Sequence, residues 1–170
     1  MKSFPPIVGE NPKVLILGSM PGQKSLEHKQ YYGHPQNSFW WIMSNILGFS
    51  NDLPYEQKVS KLELANIAVW DVLAECQRKG SLDANIVRQT EIPNDIEKFV
   101  NNHASIKLIV FNGGAARSIF NRHQSKEFKN NKELSMLQLP STSPAHASMT
   151  RVEKSQVWCD AIKPILFEKN

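Results

Sequence analysis

Apolar residues in this chain come in two kinds of run. Val14–Leu17, Ile67–Trp70, Leu108–Phe111 and Met136–Leu139 are short and rich in aliphatic and aromatic side chains. They read as strands, the first of them apolar on both faces as the strands of a buried parallel sheet are. Between them, apolar residues recur at helical spacing. Phe39–Leu47 predicts a helix with Phe39, Met43, Ile46 and Leu47 on one face and Gly48 just past its end. Gln57–Leu64 predicts a second helix, and Ser81 is positioned to cap another over Leu82–Arg88. Ile92-Pro93-Asn94-Asp95 predicts the start of a helix running through Val100, and Ala115–Phe120 predicts the next, behind Asn112-Gly113-Gly114. Gln124–Lys132 is polar and charged and reads as an exposed loop. The last helix begins at Thr150, which has capping-box spacing to Glu153. Trp158, Ile162 and Ile165 form its buried face, and Pro164 stands where it would kink or shorten it.

Strands alternating with helices predict the α/β class: a three-layer α/β/α arrangement around a central four-stranded, mainly parallel sheet. No repeat, low-complexity tract or linker interrupts the pattern, so residues 1–170 are expected to form one domain. Every unusual loop follows a strand. The loops should therefore gather beyond the carboxyl ends of the strands, where open α/β sheets bind ligands.

Composition narrows this only a little. Hydrophobic residues at 41% and charged residues at 21% are those of an ordinary globular protein. The two cysteines, Cys76 and Cys159, fit a reducing compartment, the cytoplasm, and are too few for an iron–sulfur cluster held by thiolates. No apolar signal core opens the chain, and no run approaches the roughly eighteen apolar residues of a membrane span. The net charge of +4 suits a nucleic-acid partner without demanding one.

The candidate chemistry lies in the loops. Gly18-Ser19-Met20-Pro21-Gly22 follows the first strand, then Tyr31-Tyr32-Gly33-His34-Pro35-Gln36-Asn37 leads into the first apolar helix. Asn37 is either a helix-start residue or an uncharged amide aimed into a pocket, where it orients a water or steadies a positively charged sugar. Tyr31 and Tyr32 can stack on a base or form a half-buried lid. Asp71 and Asn112 each end an apolar strand; each can read a base edge or satisfy its own loop. Ser141-Thr142-Ser143-Pro144-Ala145-His146 is a hydroxyl-rich loop fit for a DNA phosphate or for a plain turn. His28, His34 and His146 lack metal-ligand spacing, so no metal is expected. No Gly-x-Ser-x-Gly elbow is present for a nucleophilic serine. The first loop superficially resembles a P-loop, with Asp71 in the place of a magnesium-binding carboxylate. However, three residues separate Gly18 from Gly22 where a P-loop has four, Gln23 precedes Lys24, and Pro21 removes an amide donor.

Together these loops resemble the motifs of the uracil-DNA glycosylase superfamily. Its mismatch-specific branch carries Gly-Ile-Asn-Pro-Gly, then an aromatic followed by His-Pro-x-Asn-x-Phe-Trp. This chain has Gly18-Ser19-Met20-Pro21-Gly22 and Tyr32-Gly33-His34-Pro35-Gln36-Asn37-Ser38-Phe39-Trp40. A third motif, His-Pro-Ser-Pro or Asn-Pro-Ser-Gly in other branches, stands here as Ser141-Thr142-Ser143-Pro144. Met20 occupies the place of the mismatch-specific branch's catalytic Asn, and Ser141 that of the His or Asn heading the third motif. Both departures are similar to the hypoxanthine-DNA (deoxyinosine) glycosylase branch, although His146 replaces an Asn common there. The resemblance implies a cofactor-free, monomeric enzyme that hydrolyses the glycosidic bond of an everted deaminated base in DNA, hypoxanthine foremost and uracil next. It also implies that Asn37 is catalytic and that Tyr32 stacks on the base. Ser19 and Met20 line the base pocket, which Asp71 and Asn112 join if they read the base rather than satisfy their own loops, and residues 141–146 meet the DNA. Ala145 is a smaller wedge than the Leu of uracil-specific relatives. The alternatives are a magnesium-dependent nucleotide hydrolase or kinase and a DNA-binding relative without activity.

Overall fold

The computed structural model describes residues 1–168. In chain order the strands are β1 (Val14–Gly18), β2 (Ile67–Asp71), β3 (Leu73–Glu75), β4 (Ile92–Pro93), β5 (Leu108–Asn112) and β6 (Ser135–Leu139). The helices are α1 (Gln23–His28), α2 (Phe39–Leu47), α3 (Tyr55–Leu64), α4 (Ile96–Asn101), α5 (Gly114–His123), α6 (Lys126–Lys129) and α7 (Arg151–Leu166). The main sheet has the order β2-β1-β5-β6, and all its pairings are parallel. The expected three-layer α/β/α architecture is present, with four parallel strands at its centre.

The alternation along β1 divides the core. Val14 and Ile16 face a cluster built with Phe39, Ile42, Leu62 and Trp158, which α2, α3 and α7 supply. Leu15 and Leu17 face a second cluster containing Phe99, Ile119, Phe120 and Phe128, from α4, α5 and α6. Apolar cover on both sides is why β1 carries no polar residue, and every position in it is buried. Trp158 is fully buried and still satisfies its indole, donating to Pro140 O at 2.9 Å. The outer edge of β2 is covered by the amino-terminal segment, where Ile7 and Val69 exchange both backbone hydrogen bonds.

Several expectations need correction. Ser81 caps no helix over Leu82–Arg88; only single 3-10 turns form, at Asp83–Asn85 and Arg88–Thr90. The Ser81 hydroxyl instead accepts the Gln23 N–H at 2.9 Å, at the start of α1, a helix the apolar pattern does not reveal because Ser25 is its one buried residue. Ile92 and Pro93 pair with β3, so α4 starts later, where Asp95 accepts the Lys98 N–H. The polar stretch 124–132 contains α6, capped by Ser125 and anchored by buried Phe128. Elsewhere the pattern holds. Gly48 ends α2 in the left-handed region at φ 74°. The Thr150–Glu153 capping box is complete. Pro164 falls in the last turn of α7, which ends two residues later.

Candidate active site

The chain order puts the carboxyl ends of β2, β1, β5 and β6 side by side. Connections leave β1 in one direction and reach β5 in the other, so a crevice opens between their ends. A cavity of about 300 Å³ lies there, lined among others by Ser19, Met20, Tyr32, Asn37, Asp71 and Asn112. Ser141, Thr142, Ser143, Pro144 and Ala145 form another wall. Eleven of the twelve candidates from the sequence thus meet at one site. His146 is not among the lining residues; its Nε2 lies 3.4 Å from Ser148 Oγ.

Hydrogen bonds hold these loops together. The end of β2 continues along the first loop, with Val72 N–H donating to Gly18 O at 2.8 Å and Leu73 N–H to Ser19 O at 3.1 Å. Asn112 clamps the third loop: its Oδ1 accepts the Thr142 N–H at 2.9 Å and its Nδ2 donates to Thr142 Oγ1 at 3.0 Å. Thr142 is 1% exposed, and its carbonyl accepts the Ser38 N–H at 3.0 Å. That bond ties the Asn37 loop to the 141–145 turn. Beyond Thr142, Ser141 Oγ accepts the Ser143 N–H and Ser143 Oγ accepts the Ala145 N–H, each at 3.2 Å. Lys154, buried on α7, donates to Ser143 O at 3.2 Å, and burial pushes its ammonium pKa down.

In the aromatic loop the two tyrosines have different environments. Tyr31 is buried and anchored: its hydroxyl donates to Pro5 O at 2.9 Å and its carbonyl accepts from the Trp40 indole at 2.8 Å. Tyr32 has a left-handed backbone, φ 53°, which costs a non-glycine residue on the order of 1–3 kcal/mol. Phe39 stacks on its ring, with centroids 4.0 Å apart and planes 25° from parallel. Asn37 Oδ1 accepts the Phe39 N–H at 2.9 Å, so the oxygen side of the carboxamide is assigned and one lone pair is used. His34 Nδ1 accepts the Gln36 N–H at 3.1 Å, a bond within the loop.

Among the described residues, three buried side-chain atoms have no hydrogen-bond partner: Tyr32 Oη, Asp71 Oδ2 and Arg78 Nη1. Tyr32 and Asp71 line the cavity and crowd the same residue. A Cβ on Gly18 would lie 2.5 Å from Asp71 Oδ1 and 3.1 Å from Tyr32 Oη. Asp71 is 4% exposed. Burial first and the Asp83 carboxylate second raise its pKa to about 7, against the opposing pull of Arg78. Burial, and then Asp71, keep the Tyr32 hydroxyl protonated far above the ordinary phenol range.

One wall was missed in the sequence. Ser81, Leu82 and Asp83 line the cavity on a segment folded over the first loop. Arg78 Nη2 donates to Pro21 O at 2.6 Å, its Nε donates to Gly80 O at 2.8 Å, and Ser19 Oγ donates to Asp83 Oδ1 at 2.6 Å. The bonds to Pro21 O and from Ser19 Oγ join positions 57 and 64 residues apart, and no local signal announces them. Among the described residues no group of three His, Cys, Asp or Glu side chains forms a metal-ligating cluster, and no helix is long and apolar enough to cross a membrane.

A family model described as the uracil DNA glycosylase superfamily matches residues 5–162. A curated relative from Methanosarcina barkeri, named hypoxanthine DNA glycosylase, is 37% identical over 113 residues, covering 66% of this chain and 70% of the relative. One of the same name from Methanosarcina acetivorans is 37% identical over 116 residues, covering 68% and 72%. The solution NMR structure of a Methanosarcina acetivorans protein described as a candidate uracil DNA glycosylase matches with a TM-score of 0.80 and 30% identity, over 96% of this chain and 97% of that one. A parallel α/β sheet with its pocket at the strand ends and this family match define the class: the chain belongs to the uracil DNA glycosylase superfamily.

Proposed function

We propose that this chain is a monofunctional DNA glycosylase, working as a cytoplasmic monomer without metal or cofactor. It hydrolyses the N-glycosidic bond of an everted deaminated base, hypoxanthine foremost, as a step of base excision repair. The observation that carries this reading is the shared cavity of Asn37, Tyr32 and the 141–145 turn beyond the strand ends. The names of the two Methanosarcina relatives support the substrate class.

The chemistry needs an everted base, a dry pocket and dipoles aimed at developing charge. Eversion costs a few kcal/mol, least where the base is mispaired, as hypoxanthine is opposite thymine. The everted base stacks on Tyr32, extending the Phe39–Tyr32 pair. Breaking the bond leaves an oxocarbenium-like sugar. Asn37 Oδ1 keeps a second lone pair after accepting the Phe39 N–H and uses it to hold the attacking water or to steady the cation. Ser19 and Met20 line the base pocket, and the rigid loops keep it formed before DNA arrives. Because Ser141 and Ser143 accept backbone N–H groups, their own hydroxyl protons are free to donate to DNA phosphates. Ala145, exposed at the turn, meets the vacated stack.

The test is incision of oligonucleotides containing hypoxanthine, uracil or xanthine, followed by alkali, with EDTA present. Cleavage at hypoxanthine, above uracil, is expected. Loss of cleavage in EDTA with magnesium-dependent nucleotide turnover would support the hydrolase alternative instead. Binding to the duplex without cleavage would leave an inactive relative.

A further inference from the structure

Deamination converts the amino edge of adenine or cytosine into a lactam, a ring N–H beside a C=O. As the glycosidic bond breaks, the departing base takes up negative charge, and the lactam oxygen carries part of it. A group facing that edge must donate to the oxygen and accept from the N–H. A neutral acid or an amide side chain does both through two adjacent atoms; a carboxylate offers lone pairs alone and repels the leaving anion.

Asn112, the other polar residue at a strand end, is tied to Thr142 by both ends of its carboxamide, which fixes its orientation and leaves one N–H and one lone pair. Asp71 is not engaged. It lines the cavity, is 4% exposed, and its Oδ2 has no partner. An orphaned carboxyl oxygen in a native pocket is unfavourable, and a ligand that supplies its partner offsets that penalty. Resting on the glycosylase reading above, we propose that Asp71 acts as a neutral carboxylic acid that pairs with the lactam edge of the everted base and donates its Oδ2 proton to the oxygen of the leaving group.

The surroundings keep that proton on. Asp83 lies across from Asp71 on the segment over the first loop, Tyr32 and Tyr31 present un-ionised phenols, and Arg78 is the one nearby cation acting the other way. Arg78 directs Nη2 to Pro21 O and Nε to Gly80 O, and no ion pair joins it to Asp71 among the described residues. With burial, the balance holds Asp71 half-protonated at about pH 7 rather than near 3.8. Active sites keep carboxylic acids neutral by this combination of apolar enclosure and like charge.

The experiment is the single-turnover incision rate on an inosine duplex against pH, for the intact chain, Asp71→Asn and Asp71→Leu. The intact chain should lose rate on the alkaline side by about tenfold per pH unit above the Asp71 pKa. Asp71→Asn keeps one donor and one acceptor with nothing to ionise, so its alkaline limb should disappear. Asp71→Leu should be inactive throughout. A carbon NMR titration of the free protein gives a second readout: the Asp71 carboxyl should titrate near neutrality. An alkaline limb unchanged in Asp71→Asn, wild-type rates in Asp71→Leu, or an ordinary aspartate titration overturns this inference while leaving the glycosylase reading intact. Absence of incision by the intact chain on every deaminated base overturns both.

Discussion

The side-chain oxygen of Asn37 accepts the backbone N–H of Phe39 at 2.9 Å. One group, just before the Ser38 N-cap, therefore satisfies the first N–H of α2 and lines the cavity in which a sugar would sit. A cap and a catalytic amide are separable because a cap needs only an oxygen. Asn37→Ser retains one; Asn37→Ala does not. The alanine variant should lose about 1 kcal/mol of stability and the serine variant less. Both should lose roughly 10²–10³ in single-turnover rate on an inosine duplex, the usual effect of removing one preorganised dipole. Duplex affinity should change little. A serine variant as fast as the intact chain would reduce Asn37 to a cap.

Gly18 separates strand from pocket, and the space above its Cα is occupied. Gly18→Ala places a methyl 2.5 Å from Asp71 Oδ1 and 3.1 Å from Tyr32 Oη. Asp71 belongs to a strand paired with β1 and Tyr32 is stacked on Phe39, so neither retreats freely. Overpacking of this kind costs about 1–3 kcal/mol. Thermal denaturation should register that loss, and incision should fall further than the loss of folded protein accounts for. Unchanged incision would mean that the Asp71–Tyr32 corner does not touch the substrate.

The central strands β1 and β5 were legible because a parallel strand covered on both faces must be apolar almost throughout, as Val14–Leu17 and Leu108–Phe111 are, whereas the edge strand β6 is exposed at Ser135, Leu137 and Gln138. The site was legible as loops, since each follows such a strand. Segments that bury one residue each were not: α1 rests on Ser25 and α6 on Phe128, too few for a period. Ser81 had the right residue type for a cap but serves α1, 58 residues away. The wall of Ser81, Leu82 and Asp83 depends on the same kind of distant bond. The rivalry of Asp71 and Asn112 also needed coordinates, because the difference lies in which carbonyl and carboxyl atoms are already bonded.

Phosphate contacts release counterions, so affinity for an inosine duplex should fall linearly in log–log form with salt, by about 0.9 per phosphate neutralised. Asn37→Ala is the form to use, since it should bind without cleaving. Fluorescence anisotropy over a salt series reads the slope. With hydroxyls, backbone amides and a modest net charge of +4 making the contacts, the slope should be shallow but not zero. An affinity independent of salt would argue against backbone binding by the 141–145 turn.

Asp71 should also mark the protein's stability. Its pKa rises from 3.8 in the unfolded chain to about 7 in the fold, so between those values the folded state holds more protons than the unfolded one. Stability then decreases as pH increases across that window and levels off above it. Complete ionisation would cost on the order of a few kcal/mol. Asp71→Asn removes the titration but keeps the shape. The difference in stability between this variant and the intact chain, measured by denaturant unfolding, should therefore shift in the variant's favour between about pH 4 and about pH 8. Titrating groups that do not interact with Asp71 cancel in that difference, and Asp83, which does, titrates on the acid side of the window once its neighbour is neutral. A difference that stays constant with pH would mean that Asp71 ionises as it does in water, and its carboxylate would have to be solvated within the cavity.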